Sequence, residues 1–305
     1  MLIFATSDKG GTGRSVTSCN VMYRRALQGS DVCYLDFDFG SPTAGAVFEV
    51  ATAATGAESA GLHSYLQGRV VAPARIDLWS RSDRESLRSR PVGAGQFALF
   101  PGDRGGGEFP LSEDVVRRCT ELFCQVEEEF DVCLVDLSAG RSFAVDLALE
   151  VTGRDELRST VCRWMIFHRW TRQHIVAAAG LVFGDRGILR TGKACGHDES
   201  SLRDTIRFVR TAVLDPNSPD LAHIHPAQAA WLRECNKELQ ELASRLNLGR
   251  SNVLGQTPID RVLQWREQLI SDADVSASRI ANHETAVAFD DLAKRLTDNA
   301  SWEGL

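Results

Sequence analysis

Between Ser7 and Ser15 the chain reads Ser-Asp-Lys-Gly-Gly-Thr-Gly-Arg-Ser, placing Gly10, Gly11 and Gly13 between two basic residues, Lys9 and Arg14, and ahead of the Ser15 hydroxyl. A glycine-rich turn that leaves a strand and opens a helix can close its backbone N–H groups around phosphate oxygens. The positive end of the helix dipole adds to that attraction. Ser15 offers a hydroxyl suited to Mg²⁺. The strict pattern G-x-x-x-x-G-K-[ST] is broken twice, by Asp8 and by Arg14.

Arginine keeps its positive charge at any accessible pH and can grip phosphate with two donors, but it is longer, planar and forked where lysine is a compact point charge. Phosphate binding is therefore expected to survive at Arg14, weakened by at most about 1–3 kcal/mol, the worth of one charge-assisted hydrogen bond. Hydrolysis is more exposed to the change, because misplacing a positioned group by about 1 Å costs about a hundredfold in rate.

The elements that must position this loop are legible as short apolar runs. Leu2–Thr6, Val32–Asp36, Phe97–Phe100, Val132–Asp136 and Thr160–Phe167 read as strands, with Val253–Thr257 as a further one. Several are almost continuously apolar, as strands are when both faces of a parallel sheet are covered. Helical spacing runs through Ser15–Leu27, Glu113–Glu129, Ala227–Leu246 and Glu284–Leu296. Strands alternating with helices predict right-handed βαβ units and an α/β fold, a doubly wound, mostly parallel sheet flanked by helices. Residues 1–305 are expected to form one domain, with Ala51–Gly61 and Gly102–Gly107 as loops.

Composition sets bounds on function. The chain has 305 residues, 43% apolar and 25% charged, enough to bury a substantial core. No run reaches the 18 apolar residues of a membrane span, Leu2–Ala5 lacks the basic flank of a signal peptide, and the last 35 residues show no amphipathic membrane anchor. These features lead us to expect a cytoplasmic protein without membrane association. The eight cysteines form no Cys-x-x-Cys pair, and Cys33 and Cys133 fall inside expected strands as small hydrophobes. A net charge of −7 argues against a surface built for nucleic acid, yet between Val151 and Lys193 seven Arg and one Lys face three acidic residues.

Lys9-Gly10-Gly11-Thr12-Gly13-Arg14-Ser15 resembles the deviant Walker A motif, K-G-G-x-G-K-[ST], of the ParA/MinD family of P-loop ATPases, in a variant form with Arg for the P-loop lysine. The resemblance continues in order through Val32–Thr43 (VCYLDFDFGSPT), Phe97–Asp103 (FALFPGD), the Walker B-like Phe130–Gly140 (FDVCLVDLSAG) and the C-terminal NVLGQTPIDR and AVAFDDLAKRL. It is weak from about 151 to 250. It implies ATP and Mg²⁺ as cofactors and a nucleotide site formed by Lys9, Gly10, Gly11, Thr12, Gly13, Arg14, Ser15 and Val16. It further implies that Lys9 reaches across a homodimer to the partner's phosphates, that Asp38 orients the attacking water, and that Ser15 holds Mg²⁺ directly and Asp136 holds it through water, with Asp36 near the same shell. Each aspartate alone could equally cap the turn that follows its strand; the three in the family's order point to phosphoryl-transfer chemistry, which needs little beyond positioning and charge neutralisation.

Other signals are weaker. Cys162–His174 interleaves Arg163, Arg169 and Arg172 with Trp164 and Trp170, a mixture that could form a docking or dimer surface, or grip nonspecific DNA as the ATP-bound dimers of the family do. Cys195-Gly196-His197 and His223-Ile224-His225 match no zinc spacing. Ala227–Leu246, with Trp231, Leu232, Leu239, Leu242 and Leu246, reads as an amphipathic cover for the sheet. The expected function is a dimeric, ATP-binding molecular switch with slow or impaired hydrolysis that acts on a partner protein. The alternative is a scaffold that no longer hydrolyses nucleotide.

Overall fold

The computed structural model describes residues 1–215 and 224–303. Its centre is one eight-stranded sheet. The strands are β1 (Leu2–Thr6), β2 (Val32–Phe37), β3 (Ile76–Asp77), β4 (Phe97–Phe100), β5 (Val132–Leu137), β6 (Cys162–Arg169), β7 (Ile206–Val213) and β8 (Val253–Pro258). Their order is β3-β4-β2-β5-β1-β6-β7-β8, and only the β3–β4 pair is antiparallel. β1 runs down the middle between β5 and β6. Successive side chains of a strand point to opposite faces, so the apolar runs split into two cores. Leu2, Phe4, Cys33, Leu35, Cys133 and Val135 lie in one, and Ile3, Ala5, Val32, Tyr34, Val132 and Leu134 in the other.

Helices Glu113–Glu129, Phe143–Thr152 and Arg172–Phe183 cover the first face, and Arg14–Leu27 with His283–Thr297 cover the second. The doubly wound sheet expected from the sequence is therefore present. All eight cysteines are free thiols, and those at 33 and 133 sit opposite each other in the β2–β5 ladder. Among the described residues no helix is long and apolar enough to cross a membrane.

Several elements differ from the sequence reading, among them β3, β7 and the helices Phe143–Thr152 and Arg172–Phe183, and the helix over the sheet covers less of it than expected. Strand β7 was not anticipated, because Arg207 and Arg210 interrupt its apolar pattern. Both are buried: Arg207 donates to the carbonyls of Ser301 and Trp302, and Arg210 to that of Leu248 while stacking 4.1 Å from the Trp170 ring centroid. The helix expected to cover the sheet at Ala227–Leu246 spans Pro226–Arg245, and only its C-terminal half does so. Ala243 is buried and Leu239, Leu242 and Leu246 pack on the core, whereas Trp231 is 66% exposed. Its N-terminus is held by His225, whose Nδ1 accepts from the Ala227 N–H; His223 lies outside the described residues.

Candidate functional site

The loop Ser7–Gly13 leaves the C-terminal end of β1, which lies beside β5, with β2 the next strand beyond. In a doubly wound sheet this carboxyl edge is where ligands bind. Gly11 and Gly13 adopt the left-handed backbone, with φ of 69° and 75°, which a side chain would strain. Gly13 is also the N-cap of helix Arg14–Leu27 and supplies no side-chain acceptor, so the first helical N–H groups face outward unpaired. From Gly10 to Ser15 no N–H donates to a protein group among the described residues. A Cβ built on Gly10 or Gly11 would meet no atom within 4 Å, so open space lies over these amides. The cradle fits a phosphate group.

Neighbouring segments hold the loop in this shape. The Ser7 hydroxyl donates to the Lys9 carbonyl at 2.9 Å, and the Gly140 N–H to the Ser7 carbonyl at 2.7 Å. Arg141 pairs with Asp8 at 3.3 Å, which gives a structural use to the residue that breaks the glycine pattern. From β7, the Thr211 hydroxyl donates to the Thr12 carbonyl. The helix behind the loop is clamped through Asn20, which bonds the Gln268 carbonyl at 3.0 Å and the Ile270 N–H at 2.7 Å. A cavity of about 170 Å³ opens beside the loop, lined by Gly11, Gly13, Val16, Arg169, Thr211 and Asp260 among others.

The three aspartates converge on the same edge. Asp36 and Asp136 are partners in the β2–β5 ladder, and Asp38 follows two residues beyond Asp36. Arg14 reaches into this acidic group. Its Nε donates to Asp136 Oδ1 at 2.5 Å and its Nη2 to Asp38 Oδ2 at 2.9 Å, with Ser15 Oγ 3.4 Å from the same Nη2. Arg14 is only 6% exposed and Asp136 1%. Burial by itself disfavours the charged guanidinium, but the fields of Asp136 and Asp38 outweigh it and raise the Arg14 pKa further. The second oxygen of Asp136 accepts from the Tyr34 hydroxyl at 2.7 Å. Burial, and then the charge of Asp136, push the Tyr34 pKa well up, keeping the phenol a donor.

Asp36 takes a different place from Asp136. It accepts from the N–H groups of Ala44 at 3.0 Å and Asp38 at 3.3 Å, so it fastens the turn after β2. Burial, and then Asp136, raise its pKa well above the usual carboxylate range. Lys9 lies half-buried at the mouth and forms no ion pair among the described residues. The set expected for Mg²⁺, namely Ser15, Asp36 and Asp136, does not fit an ion in this arrangement. The oxygens of both carboxylates are taken by amide, phenol and guanidinium donors, and among the described residues no three His, Cys, Asp or Glu side chains are placed to hold a metal together.

Of the three arginines expected on a basic surface, Arg163 is not on it. It is 5% exposed, donates to the Leu296 carbonyl and to Asn299 Oδ1, and stacks 4.8 Å from the Trp302 ring centroid. It faces the second core because residues 163, 165 and 167 alternate away from Trp164 and Ile166. Arg169 is half-buried beside the loop and Arg172 is exposed. His197 bonds the Leu149 carbonyl at 2.9 Å, a local tie between helix ends. Sequence reasoning missed Tyr34 and Thr211; the first looked like one more core aromatic, and the second lay in the unanticipated strand.

No protein-family model matches the sequence, and no curated protein does either. Solved structures do match in fold. The MinC:MinD cell division protein complex of Aquifex aeolicus superposes with a TM-score of 0.61 at 15% identity, over 97% of this chain and 95% of that one. The MinD protein of Pyrococcus horikoshii complexed with Mg-ADP gives 0.54 at 16%, over 98% and 96%. The pNOB8 ParA bound to nonspecific DNA gives 0.54 at 15%, over 97% and 96%. The chain thus has the fold of the MinD and ParA P-loop ATPases.

Proposed function

We propose that this chain is a MinD/ParA-like nucleotide-binding switch that takes ATP at the Gly10–Ser15 loop and turns it over slowly. The observation that carries the reading is Arg14, the first residue of the helix that the glycine loop opens, whose guanidinium is set between Asp38 and Asp136. A role of Arg14 toward phosphate is supported by its remaining donors, but it also engages the carboxylate expected to orient the attacking water. A charge that must be shared between Asp38 and a γ-phosphate holds the water-orienting group back, and hydrolysis slows. Lys9, half-buried at the mouth and without an ion pair among the described residues, supports a role toward the phosphates of a second copy in a dimer.

The MinC:MinD complex and the DNA-bound ParA of similar fold motivate a partner protein and, more narrowly, DNA as targets. In this chain the DNA version rests on Arg169 and Arg172 and no longer on Arg163. A second reading, a scaffold without turnover, draws on the same Arg14 contacts: an arginine paired with two carboxylates could hold the loop's shape with no nucleotide.

Calorimetric titration with ATP tests the first reading. Wild-type protein is expected to bind in the micromolar range, and Arg14→Ala, with its secondary structure checked by circular dichroism, to bind at least about tenfold more weakly, a loss of about 1.4 kcal/mol. Absence of binding by well-folded wild type would sink the nucleotide reading and leave the scaffold.

A further inference from the structure

We propose that the Arg14 guanidinium takes the place of the divalent cation at this site, so that the protein binds nucleoside triphosphate with no requirement for Mg²⁺. The inference rests on the nucleotide-binding reading and adds to it what neutralises the phosphates.

Two of the groups expected around a metal and the carboxylate expected to orient the water surround the guanidinium instead: Asp136 at 2.5 Å, Ser15 Oγ at 3.4 Å and Asp38 at 2.9 Å. Mg²⁺ needs near-ideal octahedral geometry with oxygens at about 2.0–2.1 Å. To enter, it would have to expel a buried, doubly paired arginine from between its carboxylates. Each Asp136 oxygen already accepts a hydrogen bond, one from Arg14 and the other from Tyr34. Asp36 is spent on two backbone amides.

The guanidinium can do the electrostatic part of the metal's work. It stays charged under all accessible conditions and presents five donors in a fixed fork. Nε and Nη2 are used on the carboxylates, while Nη1 has no protein acceptor among the described residues and is left for a phosphate oxygen. One arginine carries half the charge of the ion it replaces. Lys9 and Arg169 stand at the same mouth, both close enough to act electrostatically on His174, and supply the remainder.

The test is a titration of wild-type protein with ATP in excess EDTA and again in excess Mg²⁺. The expected result is binding in both, with affinities within about threefold, less than 1 kcal/mol apart. Binding in Mg²⁺ that weakens more than about tenfold in EDTA would overturn the substitution while leaving the nucleotide site intact. Absence of binding in both would overturn the nucleotide reading and this inference with it. Arg14→Lys provides the second arm: a lysine has one point charge and no fork, so its affinity for ATP is expected to become at least about tenfold dependent on Mg²⁺. An unchanged EDTA-to-Mg²⁺ ratio in that variant would overturn the assignment to Arg14.

Discussion

Arg14 and Asp136 face each other across 122 residues of sequence at 2.5 Å, and each is almost wholly buried. A pair of this kind is costly to break from one side, since the partner is left as an uncompensated charge in a dry site. The cost is about 3–5 kcal/mol when one member is removed. Arg14→Ala is therefore expected to lower the unfolding free energy by about that amount in urea titrations, and Arg14→Lys by less than half of it, because a cation remains. A loss under about 0.5 kcal/mol for the alanine variant, the range typical of surface sites, would mean that Arg14 lies in solvent and not between the carboxylates.

Arg163 gives a prediction that separates two views of the basic segment. As a clamp on the C-terminal residues it donates to Leu296 and Asn299 and stacks on Trp302. Arg163→Ala should cost about 2–4 kcal/mol of stability through lost charged hydrogen bonds and cation–π contact. Any affinity for DNA should be left unchanged. Stability within about 0.5 kcal/mol of wild type, together with weaker DNA binding whose salt dependence is reduced, would place the side chain on the surface instead.

His168 predicts a pH dependence. Burial, with smaller contributions from Arg210 and His174, lowers its pKa to about 4. The unfolded chain, with an ordinary histidine near 6.5, binds the proton first as pH falls. Stability is then full above about pH 6.5 and declines toward pH 4, where the native state also protonates; by pH 5 the loss from this residue is about 2 kcal/mol. Melting curves from pH 7 to pH 5 should show a smaller decline for His168→Gln than for wild type. Equal slopes would contradict the buried, neutral imidazole. The buried carboxyl of Asp36 works in the opposite direction in both proteins and cancels in the difference.

How much of this was legible in the sequence depended on how the polar groups are satisfied. β1, β2, β4 and β5 carry charges only at their ends, so their apolar runs stood out and brought the glycine loop and the three aspartates to one edge of the sheet. β7 hides two arginines that reach carbonyls of segments 38 to 95 residues away, besides local ones for Arg207, and no local pattern reveals the distant partners. Helix Arg172–Phe183 is rich in Ala and Gly and lacks a polar stripe, so its period was faint. The identity of Arg14 was plain, and so was its poor match to a lysine's place. That its side chain turns onto Asp38 and Asp136 depends on β2 and β5 being neighbours beside β1, a relation that exists only in the folded sheet.

The brake that we assign to Arg14 acts on Asp38, the carboxylate expected to orient the attacking water. Its most direct test is single-turnover ATP hydrolysis by wild type and Arg14→Lys, with nucleotide occupancy measured in both and Asp38→Asn in the lysine background as control. A rise of at least about tenfold in the lysine variant, equal to about 1.4 kcal/mol of barrier, that disappears with Asp38→Asn is the predicted result. A lysine variant that binds ATP and turns it over no faster than wild type would contradict the claim and favour the scaffold.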